Sequence, residues 1–205
     1  MTPDYWKTAC RDLARADPVM KKLIATYPVA NFRSRGTPFA TLARAIVGQQ
    51  ISTKAAASVW AKFAKRVGRM TPANVLVHDI EALRECGLSR QKASYILDLA
   101  AHFADGRINT RRWAREDDEI IIDELVAVKG IGRWTAEMFL MFYLMRPNIL
   151  PVDDLGLIRG TEKLYFKGRK CLDRKKMHAF GQRWQPWCTV ATWYLWRALE
   201  AVPQD

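Results

Sequence analysis

Hydrophobic residues recur at three- and four-residue intervals along most of this chain, and nowhere do they alternate over a run long enough for a half-buried strand. The helical period is clearest over residues 41–47, 54–67, 91–103, 119–128, 133–144 and 189–201. Turn residues punctuate it at Pro28, Gly36-Thr37-Pro38, Thr71-Pro72, Gly87, Gly106, Gly130, Pro147 and Pro186. Thr71 before Pro72 reads as an N-cap followed by proline at the first helical position. After Pro151, either Asp153 or Asp154 can cap a further helix. The pattern predicts an all-α fold with short loops and no internal repeat. It is read as one domain over 1–205 with two helical lobes, one of about 40–120 and one combining the N-terminal segment with about 121–205.

Composition narrows the class. Of 205 residues, 49% are hydrophobic and 26% charged, a globular balance rather than a disordered one. Thirty-three Lys and Arg outweigh 21 Asp and Glu, giving a formal charge of +12 that favours a polyanionic partner. The four cysteines (Cys10, Cys86, Cys171 and Cys188) are scattered with no Cys-x-x-Cys pair, which excludes zinc-finger and iron–sulfur spacing and reads as reduced thiols. The N-terminus lacks the apolar core of a secretory signal, and the longest apolar run, 138–145, is far too short to cross a bilayer. A soluble intracellular protein is expected.

The segment 125–160 carries the chemistry. Gly130-Ile131-Gly132 separates two helical stretches. Glycines there permit positive φ, and Ile131 can anchor the turn in the core. The helix opening near Arg133 leaves its first amides without intrahelical partners and points the positive end of its dipole outward, an anion site suited to a phosphate and blind to base sequence. Lys129 and Arg133 add charge to it. Downstream, capping alone would explain an acid at Asp153 or Asp154.

The extended pattern Leu125-x-x-Val128-x-Gly130-Ile131-Gly132-x-x-Thr135-Ala136 resembles the helix-hairpin-helix motif of DNA-binding proteins. With the Pro151-Val152-Asp153-Asp154 segment it resembles the helix-hairpin-helix DNA glycosylases of the endonuclease III superfamily. The resemblance covers roughly residues 30–200. It implies an endonuclease III-like helical fold of two lobes, with hairpin residues Lys129 to Arg133 and Thr135 holding DNA.

An Asp at this place in the superfamily stabilises positive charge on the deoxyribose as the base leaves, or positions the attacking water. The match is closest for Asp154, 20 residues beyond Trp134 and followed five residues on by Arg159; Asp153 is then the capping or supporting neighbour. Glu137, one turn into the hairpin helix, is a weaker alternative and reads more simply as half of a surface salt bridge. Strand-nicking members carry a Schiff-base lysine at the second residue after the last hairpin glycine; here that residue is Trp134. The resemblance therefore implies a monofunctional hydrolase that leaves an abasic site. An indole at the mouth of the pocket stacks best on a cationic flipped base.

The aromatic C-terminal stretch resembles the closing helix of the bacterial 3-methyladenine DNA glycosylase II family, in which Trp196 matches a pocket tryptophan, while Trp184, Trp187 and Trp193 read as core. Two upstream segments, Ile46-Val-Gly-Gln-Gln-Ile-Ser52-x-x-Ala55-Ala56 and Gly87-Leu-Ser-Arg-Gln-Lys-Ala93, resemble the same family; the resemblance places Gln49 or Gln50, and Ser89 or Arg90, on loops facing the DNA and puts Gln50 and Arg90 forward to fill the hole left by an extruded base. No β-rich segment precedes the helices, so a compact form of that family is implied.

The implied activity is excision of alkylated purines, such as 3-methyladenine and 7-methylguanine, from double-stranded DNA. It would be carried out in the bacterial cytoplasm by a monomer with no catalytic metal or iron–sulfur cluster; a structural monovalent cation at the hairpin is compatible with the motif. Two other readings stand beside it: a non-catalytic hairpin module that binds DNA by shape, and a glycosylase for oxidised or mismatched bases.

Overall fold

Most helices begin where a short polar side chain can take up the first free amides. The computed structural model describes residues 2–27 and 36–199, and no strand occurs among them. Twelve α-helices are found in the described residues. They are α1 (Trp6–Ala16), α2 (Pro18–Thr26), α3 (Pro38–Gly48), α4 (Thr53–Val67), α5 (Pro72–Leu76), α6 (Ile80–Arg84), α7 (Arg90–Ala104), α8 (Asp118–Val126), α9 (Arg133–Phe142), α10 (Leu155–Tyr165), α11 (Arg174–Gly181) and α12 (Cys188–Arg197). Asp17, Thr37, Ser52, Thr71, Asp79, Ser89, Asp154 and Asp173 each accept a main-chain N–H at a helix start. Each such cap contributes about 1 kcal/mol. The predicted break at Pro28 and the far end of the last periodic segment, at Ala201, lie outside the described residues.

The chain divides into two compact units, residues 1–34 with 140–205, and residues 35–139. The first has a core of Trp6, Leu13, Met20, Leu23, Leu157, Met177, Trp184, Tyr194 and Leu195. Its α1 and α2 add to the periodic segments read from sequence. Buried Asp17 joins them to the later helices: it caps α2 through Val19 N at 2.9 Å and accepts the Tyr165 hydroxyl at 2.7 Å. Helices α10 and α12 approach closely, since a Cβ on Gly160 would lie 3.0 Å from the Leu195 carbonyl. Buried Thr189 of α12 donates to Arg146 O at 2.6 Å and accepts from Ile149 N at 3.0 Å, pinning the chain that leads into α10. Trp184 is fully buried in the core, and partly buried Trp193 packs edge-on against Trp6 at its margin.

The second unit is built on Phe39, Leu42, Ile46, Phe63, Val75, Leu83, Ile96, Leu99 and Leu125. A division near residue 120 is corrected here: α8, the hairpin and the start of α9 belong with the helices of 35–105. Glu124 of α8 accepts from Arg112 at 2.7 Å and from the Trp113 indole at 2.9 Å, and Asp98 of α7 accepts Lys129 N at 2.8 Å. Among the described residues, no helix is long and apolar enough to cross a membrane.

Candidate active site

The hairpin owes its shape to α7. Gly130 has φ +82°, and a Cβ there would sit 2.0 Å from Cδ2 of Tyr95. No side chain can occupy that position while the Tyr95 ring fills the space beneath the turn. The carbonyl of Gly130 accepts from Gln49 Nε2 at 2.7 Å, and Ile131 is buried. Gly132 departs from expectation: it has no positive φ, and a Cβ would meet nothing within 4 Å. Its carbonyl accepts Ala136 N at 3.1 Å, so it holds the position at which eight other helices carry a capping side chain. Its value lies in what it lacks, because nothing on residue 132 covers the α9 amides or obstructs a close phosphate.

The charged neighbours divide. Lys129 is exposed, but Arg133 donates to Glu119 at 2.6 and 2.9 Å and to Glu137 at 3.1 Å. Two carboxylates thus take up its guanidinium, which makes it a strut between α8 and α9 instead of an uncommitted phosphate contact. The same pairing holds the Glu119 carboxyl below the ordinary carboxylate range. Glu137 is only 3% exposed, so the acidic half of its salt bridge is buried while the Arg133 side chain is partly exposed. Thr135 is half-buried, and Trp134 is 49% exposed on the first turn of α9.

A half-open cavity of about 720 Å³ lies wholly within the 35–139 unit, lined among others by Gln49, Gln50, Ser89, Lys92, Gly130 and Thr135. It gathers both upstream loops and the hairpin around one hollow. Gln50 is exposed at the tip of its loop with φ +57°, a conformation that side chains seldom adopt and that concentrates at functional sites. Lys92 fixes this loop from below: its Nζ donates to Val47 O at 2.9 Å and Gln49 O at 2.6 Å, and burial lowers the ammonium's pKa. Arg90 is exposed and ion-paired with Glu81, while Ser89 is the α7 cap.

In the other unit, Asp154 starts α10. Its Oδ1 accepts Leu157 N at 2.6 Å and the Trp196 indole N–H at 2.7 Å. Trp196 in turn stacks on Phe142, with centroids 6.0 Å apart and planes 20° from parallel. Gly156 makes this approach possible, because a Cβ there would lie 2.8 Å from Trp196 Cδ1 and 3.0 Å from Asp154 Oδ1. Asp153 is exposed and does not cap; its Oδ1 lies 3.6 Å from Arg174 Nε. Sequence reasoning did not reach Phe142, Gly156, Lys92 and Tyr95. Only Gly156 left a signal, a glycine just inside a helix start, where its backbone entropy is unfavourable unless something packs close.

Among the described residues no group of three or more His, Cys, Asp and Glu is placed to hold a metal. Burial pushes the Cys188 thiol up to about 12, away from the thiolate form a metal would need.

Comparison with known proteins gives the family to which this helical fold belongs. The model of the HhH-GPD superfamily base excision DNA repair proteins matches residues 43–186. A protein of Schizosaccharomyces pombe named DNA-3-methyladenine glycosylase 1 is 33% identical over 181 residues, covering 86% of this chain and 78% of the relative. The crystal structure of a DNA-3-methyladenine glycosidase from Bacillus halodurans superposes with a TM-score of 0.79 at 35% identity, covering 90% of each chain. The Schizosaccharomyces pombe 3-methyladenine DNA glycosylase in complex with abasic DNA superposes with a TM-score of 0.77 at 31% identity, covering 95% of this chain and 98% of that one. The chain belongs to the HhH-GPD superfamily of base excision DNA repair proteins.

Proposed function

We propose that this protein is a DNA glycosylase that hydrolyses the N-glycosidic bond of alkylated, cationic purines such as 3-methyladenine and 7-methylguanine in double-stranded DNA. It leaves an abasic site and does not cut the strand. The observation that carries this reading is the Asp154 carboxylate, held by Leu157 N and the Trp196 indole at the start of α10. Its relatives named DNA-3-methyladenine glycosylase support the substrate class.

The chemistry follows from where charge moves. As the C1′–N bond lengthens, a cationic base regains the bonding pair and departs neutral, while the sugar becomes oxocarbenium-like. A water oxygen then bonds C1′ and passes one proton to bulk solvent, which leaves the sugar neutral. A fixed carboxylate lowers the barrier because it meets charge that exists only in the transition state. Two donors hold Oδ1 in place, so the group need not reorganise during reaction. Trp134 stands where a strand-nicking enzyme would present lysine, and its exposed indole provides a face for the flipped base.

This reaction draws on no cofactor, and one chain supplies its groups. Val128 O already accepts Ile131 N at 3.1 Å and Gly130 O accepts Gln49, so a hairpin monovalent cation would share these carbonyls and serves only as a structural ion.

Methylated DNA incubated with wild type and with Asp154→Asn tests the reading. Asn keeps an acceptor for both hydrogen bonds but lacks the charge. Folding should persist, and single-turnover release of methylpurine should fall by on the order of 10²-fold or more. No release by wild type would overturn the substrate class; an undiminished Asp154→Asn would overturn the mechanism. Borohydride should trap no covalent protein–DNA adduct with wild type.

A further inference from the structure

Residues 167–176, Lys-Gly-Arg-Lys-Cys-Leu-Asp-Arg-Lys-Lys, hold six cations against one carboxylate. Ten residues thus contribute +5 of the chain's +12. All six cationic side chains are exposed. An exposed charge run is ordinarily just a solvated face, but this one is held in a defined shape. Lys167 at φ +54° and Gly168 at φ +79° turn the chain back after α10, with Gly168 N donating to Glu162 O at 2.9 Å. Glu162, 7% exposed, turns its carboxylate to the returning strand, and Oε1 accepts Cys171 N at 2.7 Å and Leu172 N at 2.9 Å. Burying a carboxylate is unfavourable unless it is well bonded, and here its bonds fold a basic segment back along α10. Asp173 then caps α11.

The segment returns to the α10 start, where Arg174 lies 3.6 Å from Asp153, the residue before Asp154. Arg174 and Lys176 pair with carboxylates, whereas Lys167, Arg169, Lys170 and Lys175 have no carboxylate partner among the described residues. Four uncommitted cations therefore lie on a segment whose Arg174 reaches Asp153, the first of the two carboxylates at the α10 start that a DNA backbone would otherwise find repulsive.

We propose that residues 167–176 form a second phosphate-binding surface, separate from the hairpin, on which Lys167, Arg169, Lys170 and Lys175 engage the duplex backbone flanking the target nucleotide. Its placement at the target rests on the reading of Asp154 above. The contacts are with phosphate alone, so they position the duplex without reading its sequence. Each neutralised phosphate releases counterions, which makes the surface visible as a salt dependence.

The test titrates a labelled duplex containing one abasic site, by fluorescence anisotropy, at NaCl concentrations from about 50 to about 300 mM. Wild type is compared with the triple variant Lys167→Gln/Arg169→Gln/Lys170→Gln. The control is Lys7→Gln/Lys21→Gln/Lys22→Gln on α1 and α2, which removes the same net charge. The first triple should lower the slope of log K against log salt by roughly 2–3, about 0.9 per lost phosphate contact, and the control should leave it unchanged. Equal losses in both triples would show a net-charge effect and overturn the proposal, as would no loss in either. Thermal melts establish that each protein is folded, and single Lys170→Glu, with an expected slope loss near one, provides a second reading. Base release by wild type is scored separately. An unchanged slope with base release intact removes only this surface, whereas absent base release overturns the substrate class and leaves the slope as the test of this surface.

Discussion

Replacing Gly156 with alanine tests whether the Asp154–Trp196 contact is needed for reaction. The added methyl would sit 2.8 Å from Trp196 Cδ1, 2.9 Å from Nε1 and 3.0 Å from Asp154 Oδ1. Ordinary carbon contacts lie at about 3.5–4.0 Å, so the indole must retreat by close to an ångström. That stretches the 2.7 Å bond from Nε1 to Oδ1 beyond hydrogen-bonding range. Losing a bond to a charged acceptor costs about 1.5–3 kcal/mol, and alanine inside a helix returns about 0.5–1 kcal/mol of that. A net loss of roughly 1–2 kcal/mol should lower Tm by a few degrees. Catalysis should suffer more than stability, because a carboxylate without its orienting donor must reorganise during the reaction. Single-turnover methylpurine release is expected to drop on the order of tenfold or more. Trp196→Phe, which removes the N–H without adding a clash, should show a similar rate loss. Gly156→Ala with a full rate and unchanged Tm would refute the reasoning, since it would mean that the methyl has room and the contact is absent in solution.

Three further predictions concern the hairpin unit. Gly130→Ala meets Tyr95 at 2.0 Å and holds φ +82°, so overpacking should destabilise by about 1–3 kcal/mol with backbone strain added; Gly130→Ala/Tyr95→Ala should recover the packing part only, read by urea unfolding. Lys92→Met strips the donor from the Val47 and Gln49 carbonyls and should lose about 1–3 kcal/mol by the same measure, with Lys92→Arg intermediate; equal stability of Met and wild type would refute it. Arg133 depresses the Glu119 carboxyl, so this pair stabilises above the ordinary glutamate pKa and loses that contribution as pH falls through the depressed value. Glu119→Gln should therefore be less stable than wild type by about 0.5–1 kcal/mol near neutral pH and indistinguishable from it in strong acid; a gap that persists in acid would refute the pairing.

What the sequence reveals follows the range of each interaction. Helices with long amphipathic stripes, such as α4 and α7, are legible because burial of one face imposes a 3.6-residue period that short-range chemistry records. Gly130 is legible for the same reason, as its φ demands a residue type. The side chains that make the hairpin rigid are not, since Gln49, Tyr95 and Asp98 reach it from 31 to 81 residues away in the chain or contact it only through shape. No local pattern encodes such a meeting. Arg133 and Glu137 show the opposite failure. A salt bridge is expected for Glu137 and found with Arg133 at i,i+4, but the sequence is silent on depth, and the acid is buried instead of at the surface.

Asp154 shows why a capping reading and a catalytic reading need not compete. A carboxylate at a helix start is anchored by an amide that secondary structure supplies, here Leu157 N at 2.6 Å. A catalytic carboxylate needs the same thing, a fixed position and a stabilised charge, before any substrate arrives. The sequence offers two adjacent acids for the two roles, and the structure gives the cap to Asp154 while Asp153 turns to Arg174. What separates Asp154 from Asp79 and Asp173 is an indole donor on the capping oxygen itself; buried Asp17 also accepts an indole, from Trp184 at 3.4 Å, but on the oxygen that does not cap. Asp79 and Asp173 accept a main-chain amide at an exposed helix end, whereas Asp154 also accepts an indole brought in by the close approach of α10 and α12 at Gly160. A cap needs only the first bond, and the glycine at 156 that admits the second carries a backbone penalty that capping alone would not require. That combination, a capped acid, a tryptophan on the same oxygen and a glycine conceding the space, is the feature of this chain that a purely structural role leaves unexplained.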